Sequence, residues 1–83
     1  MIVTAELQNW DHFTTRGKTY VSGIITGDIH QRFADGSCVT TSSLISAEGN
    51  IVRTYSGSVY RLVGPPRSGD PLVIATSENA KNL

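Results

Sequence analysis

What this chain lacks narrows the field before any motif is considered. Cys38 is its single cysteine, so no internal disulfide forms, and a lone thiol suits a reducing compartment or partial burial. One cysteine and two histidines are too few for a structural zinc site. No apolar run approaches the roughly 18 residues that cross a bilayer as a helix. The opening MIVTAELQNW has neither the basic n-region nor the apolar stretch of a signal peptide. A cytoplasmic protein without membrane contact is the expectation. Neither sign of charge is in excess, because seven Lys and Arg balance seven Asp and Glu. A general nucleic-acid binder normally shows a basic surplus. Nucleic acid is therefore not expected as a general direct ligand, and an acidic DNA mimic is equally disfavoured.

Eighty-three residues make one small domain. A chain of this size buries only about 60 % of its unfolded surface, so packing or self-association must supply the stability that disulfides and metals do not. A homodimer is one solution to that problem.

What is present is turn chemistry. Arg16-Gly17, Asp35-Gly36, Glu48-Gly49 and Ser56-Gly57 each end in the residue that accepts positive φ without steric cost. Between them lie segments rich in Val, Ile, Thr and Tyr, which suit a pleated, half-buried surface. Strands are expected near 2–9, 19–27, 37–46, 50–56 and 58–63, with a sixth considered at 71–76. No window sustains a 3.6-residue apolar period, and only SENAKNL at the C-terminus suits a helical turn. The fold class that follows is all-β. Its expected form is an antiparallel meander of about five short strands, in a curled sheet or small open barrel that manages its exposed edges. Gly23 and Gly27 are the expected places for a bend or bulge. Residues 1–63 form the β domain; GPPRSGDP begins a linker and tail over 64–83.

The last hairpin has a register to assign. A two-residue Ser56-Gly57 turn places Arg53 opposite Tyr60 and Ile51 opposite Leu62, a cation–π pair beside an aliphatic pair. A Ser56-Gly57-Ser58 loop sets Arg53 against Arg61, which is electrostatically unfavourable. The first register is preferred.

Four sets of side chains invite a functional reading. Residues 27–37 hold Asp28, His30, Arg32, Phe33 and Asp35, but two carboxylates and one imidazole are a weak transition-metal set. A solvated connection turned by Asp35-Gly36 is preferred, with recognition as a further role for the loop. Trp10 and Phe13 adjoin the basic turn around Arg16 and Lys18, where aromatics stack bases in nucleic-acid binders. A small core needs those rings more, and an exposed one would favour a protein interface. Thr40, Thr41, Ser42, Ser43, Thr54, Ser56 and Ser58 line the later strands. They suit a plain solvent-facing sheet, or equally a binding face with Tyr55 and Tyr60 as anchors and Arg32, Arg53 and Arg61 as grips. Catalysis fares worst. There is no G-x-S-x-G elbow and no phosphate-binding G-x-x-x-x-G-K-[ST] or G-x-G-x-x-G, and so short a chain has little material for a deep pocket.

Phe33, Asp35 and Gly36, then Val39, Thr41 and Ser42, then Val52, Thr54, Ser56, Gly57, Tyr60 and Leu62 form a spaced pattern. It reads F-x-D-G, V-x-T-S and V-x-T-x-S-G-x-x-Y-x-L. This pattern resembles a diffuse group of very small proteins encoded by phages and prophages of enteric bacteria, over residues 23–63 of this chain. The resemblance implies no established activity. It implies a phage-borne accessory protein that binds a host component, by analogy an inhibitor of host defence as anti-CRISPR proteins are. The expectation is a non-enzymatic protein without cofactor or metal, binding a host protein through Asp28, His30, Arg32, Phe33, Asp35, Arg53, Tyr55, Tyr60 and Arg61. A small nucleic-acid-binding β module using Arg16, Lys18, Arg32, Arg53 and Arg61 on one curved face is one alternative. A small-molecule- or nucleotide-sequestering oligomer with a subunit-interface pocket lined by the 28–35 loop is another.

Overall fold

A computed structural model describes residues 2–74. All regular structure among them is strand: β1 (Ala5–Thr15), β2 (Lys18–Thr26), β3 (Cys38–Thr40), β4 (Leu44–Glu48), β5 (Ile51–Thr54) and β6 (Val59–Leu62). They form one sheet in the order β3-β2-β1-β6-β5-β4. The all-β class and the curled, open sheet are as the sequence indicates, but the connectivity departs from a pure meander. Two antiparallel blocks, β1-β2-β3 and β4-β5-β6, meet through parallel pairing of β1 with β6, Ala5 opposite Tyr60 and Leu7 opposite Leu62.

The stretch 37–46, expected as a single strand, divides at residues 41–43. Thr41 N–H still bonds the Val21 carbonyl of β2 at 2.8 Å, whereas the Ser43 carbonyl already accepts from Tyr55 at the end of β5, also at 2.8 Å. A link this short can join the two ends of the sheet order only if the sheet curls until its edges approach, and β4 indeed lies against β2. Buried hydroxyls are bonded at the link and at the end of β5. Thr41 Oγ1 accepts from Val21 N–H at 3.1 Å, and Thr54 Oγ1 donates to the Ser58 carbonyl at 2.9 Å. Buried polar groups must find such partners. Thr41 is therefore part of the link, and Thr54 and Ser58 part of the β5–β6 connection, roles neither account of the hydroxyl-rich strands had assigned them.

The bend lies on β1, opposite Gly23. Gln8 pairs with Ile24 and Asp11 with Ser22, so Asn9 and Trp10 face the single residue Gly23. Asn9 takes φ 48°, the left-handed conformation that begins a bulge of this kind. The extra residue reverses the alternation of β1. Ala5 and Leu7 point inward before it, and Trp10 does so after it. Gly27, with φ 67°, ends β2 instead of bending it.

The last hairpin adopts neither register considered above. Its loop is Tyr55-Ser56-Gly57, closed by Gly57 N–H to the Thr54 carbonyl and Thr54 N–H to the Ser58 carbonyl, both 3.0 Å, with Gly57 at φ 93°. A three-residue loop ending in a left-handed glycine is a common hairpin closure. Val52 consequently pairs with Tyr60, Arg53 with Val59 and Arg61 with Ile51. This slip sorts the faces. Val52, Thr54, Tyr60 and Leu62 enter the core together, while Arg53 and Arg61 share the outside without standing directly opposite each other.

After Leu62 the chain runs without ladder pairing as far as Ile74, so residues 71–74 of the sixth strand considered at 71–76 are not strand. The rest of that stretch, and the helical turn considered for 77–83, lie outside the described residues. Residues 63–74 form a strap bound to β1. Val63 and Arg67 donate backbone N–H to the Leu7 and Trp10 carbonyls at 2.9 and 2.8 Å, and Trp10 Nε1–H donates to the Gly64 carbonyl at 2.9 Å. Ser68 Oγ–H reaches Asp11 Oδ1 at 2.9 Å, and Leu72 and Ile74 pack on the core. The strap thereby covers the edge of β1 that β6 leaves unpaired, a recurrent defence against edge-to-edge association.

Candidate functional site

Loop 27–36 is built around one carboxylate. Asp28 accepts the backbone N–H of His30 and Arg32 at 3.0 Å each and of Phe33 at 3.3 Å, and Arg32 Nε lies 3.5 Å from Oδ2. Its side chain is almost wholly enclosed. Short polar side chains that capture nearby backbone donors in this way fix a turn without a ladder. Asp35 closes the loop's mouth by accepting Gly27 N–H at 2.8 Å. The two acids that suggested a ligand set thus hold the loop's own backbone. No cluster of three or more His, Cys, Asp or Glu suited to a metal occurs among the described residues.

Burial pushes the Asp28 carboxyl up, but the three N–H donors and the Arg32 guanidinium more than offset it, so its pKa lies below the ordinary 3.8. A folded carboxyl that releases its proton more readily than the unfolded one stabilises the fold above the ordinary value. That contribution is lost as pH falls through the depressed folded value. In an acid titration followed by amide NMR, the His30, Arg32 and Phe33 signals should move together, with a midpoint below 3.8. Independent midpoints for the three amides, or a shared one above 3.8, would contradict this account of the loop. Asp28→Ala should abolish the common transition.

The loop is joined to its neighbours. Ile29 N–H donates to the Thr4 carbonyl at 2.9 Å, Val59 N–H donates to Thr4 Oγ1 at 3.0 Å, and Arg32 Nη2–H approaches Ser58 Oγ at 3.4 Å. Ser42 Oγ–H donates to Ser56 Oγ at 3.1 Å, bringing the 41–43 link to the same end of the sheet. That end exposes large apolar side chains: Ile29 at 54 %, Phe33 at 43 % and Tyr55 at 81 %. The Arg32 guanidinium carbon lies 5.8 Å from the centre of the Phe33 ring.

The nine residues singled out from the sequence therefore separate into three groups. His30, Arg32, Phe33, Asp35 and Tyr55 lie on this end surface. Arg53 and Arg61 lie on the outer face of β5 and β6, where Arg61 is paired with Glu6 at 3.1 Å. Asp28 and Tyr60 are corrected as contact residues: the first is enclosed by its own loop, and the second is a core ring only 6 % exposed. The one-step hairpin slip decides Tyr60, because it turns that position inward. Ile29 was not singled out. Its signal was a large apolar residue inside a polar connection, where no strand alternation accounts for it.

No family model, curated protein or solved structure matches the chain.

Proposed function

We propose that the chain is a non-enzymatic protein that binds a host protein stoichiometrically through the surface formed by loop 27–36 and the Tyr55-Ser56-Gly57 turn. The observation that supports it is the exposure of Ile29, Phe33 and Tyr55 on segments tied down by their own hydrogen bonds. Large apolar groups held out on rigid loops lose little entropy on docking, and aromatic and arginine side chains supply most of the energy where proteins meet. Inhibition of a nucleic-acid-targeting defence complex is the most specific form of this proposal, and it rests on the phage-protein resemblance. The alternative with five cations on one curved face has little support. Arg16 and Lys18 flank the tip of the β1–β2 hairpin, Arg32 is in the loop, and Arg53 and Arg61 are on the sheet.

The test is capture from enteric-bacterial extract by immobilised protein, followed by affinity measurement on the isolated target. Phe33→Ala and Tyr55→Ala should each weaken binding about fivefold or more, equivalent to about 1 kcal/mol. Arg61→Ala on the outer sheet should change it little. Equal losses from all three variants, or no loss from the first two, would remove this surface from consideration.

A further inference from the structure

Beyond the bulge, β1 and β2 continue as a two-stranded arm. β6 pairs with β1 only at Ala5–Leu7, and β3 pairs with β2 only at Ser22–Ile24. Ser22 and Val21 are still flanked by Thr40 and Thr41, so the two-stranded part runs from Phe13–Tyr20 to Thr15–Lys18 and extends about 7 Å at the usual rise per strand residue. The strap occupies one face of this arm, through His12 Nε2 to the Asp70 carbonyl at 2.8 Å and Thr19 Oγ1–H to the Val73 carbonyl at 3.4 Å. The other face carries Phe13 opposite Tyr20 and Thr15 opposite Lys18. The Phe13 and Tyr20 rings stack, with centroids 5.3 Å apart and planes 18° from parallel, and Phe13 is 44 % exposed.

The charge at the tip has no ion-pair counterpart among the described residues. The chain's acids and bases balance overall, yet Arg16 and Lys18 form no ion pair among the described residues, whereas Arg32 and Arg61 do. The acid at the base of the face, Asp11, already accepts from His12 N–H and Ser68 Oγ–H at 2.9 Å each. Arg16 is also in a conformation that disfavours it. The Arg16-Gly17 turn has φ of 52° and 75°, the two left-handed positions of a tight hairpin turn where Asn-Gly is preferred. An arginine placed there keeps a cation at the tip against local backbone preference.

We propose that the outer face of this arm binds single-stranded nucleic acid, with the exposed Phe13 ring of the stacked pair receiving a base and Arg16 and Lys18 contacting the flanking phosphates. A flat ring beside two cations that form no ion pair among the described residues matches a polymer that alternates π-faces with negative charge. The exposed ring by itself would favour a protein interface; the two neighbouring cations, with no ion pair among the described residues, turn the choice to a polyanion, and the neutral overall charge confines the affinity to this patch. The surface is separate from the end surface proposed for protein binding.

Fluorescence anisotropy with labelled oligothymidylate and oligouridylate tests the proposal. Binding should be weak and salt-dependent, with a log–log slope of about −1.4 for two phosphate contacts on a single strand. Lys18→Glu should flatten that slope by about half, and Phe13→Leu, which keeps an apolar partner for Tyr20, should weaken binding about fivefold or more. Arg16→Asn separates function from structure, because it should raise the melting temperature while lowering affinity. A blunt duplex should bind less well than the single strand. The idea is overturned by no anisotropy change at low ionic strength, by affinity indifferent to Lys18→Glu and Arg16→Asn, or by equal affinity for the duplex.

Discussion

Replacing Trp10 by Ala should lower stability by about 3–5 kcal/mol, a large share of the roughly 5–15 kcal/mol that holds a small domain together. Two losses combine. The indole is the largest side chain in the core cluster and only 5 % exposed, so its removal leaves a cavity in that cluster. Its Nε1–H also anchors Gly64 of the strap at 2.9 Å, leaving that carbonyl to find another donor. For a domain of this size the melting temperature should fall by at least about 12 °C, measured by circular dichroism. Trp10→Phe should be milder, retaining most of the volume and losing the strap's hydrogen bond. A Trp10→Ala protein melting within a few degrees of the wild type would mean that the bulge and strap hold without the indole.

Gly23→Ala should be the second most damaging change. A Cβ at position 23 would lie 3.0 Å from Trp10 Cβ, 3.1 Å from the Gln8 carbonyl oxygen and 3.2 Å from Trp10 Cα. None of these is the far end of a flexible side chain, so the methyl can be admitted only by moving the backbone of the bulge. Overpacking of this kind costs about 1–3 kcal/mol, against a gain of about 0.4–1 kcal/mol from a less flexible unfolded chain. The net effect should be destabilising, read as a lower urea midpoint at unchanged slope. Neutral or improved stability would show that the bulge can slide. The same substitution at Gly57 acts differently, because nothing lies within 4 Å of its missing Cβ and the difficulty there is its φ of 93°.

The end surface was partly legible in the sequence. Phe33, Arg32 and Tyr55 could be nominated from residue type and from their place near turns, and all three are exposed to a large degree. Asp28 and Tyr60 could not be judged that way. An aspartate in a polar loop looks the same whether it faces a partner or captures three backbone N–H groups, and only the loop's path distinguishes the two. Tyr60 depended on a one-residue slip, which exchanges the faces of a strand. The Phe13–Tyr20 stack was equally hidden, since it requires the pairing of two strands across the Arg16-Gly17 turn.

By itself the sequence determined what is local: that the chain forms strands, and where it turns. Branched and aromatic residues favour an extended backbone, and Gly17, Gly36, Gly49 and Gly57 all take the positive φ their turns require. Tertiary structure decided what depends on distant partners: the parallel meeting of β1 and β6, the division at residues 41–43, the bulge opposite Gly23 and the strap on β1. The physical reason is that each satisfies backbone groups or core volume belonging to another part of the chain. The link at 41–43 leaves β2 for β5 because curling the sheet brings the two within reach. Trp10 faces inward because an extra residue opposite a side-chain-free glycine lets it do so.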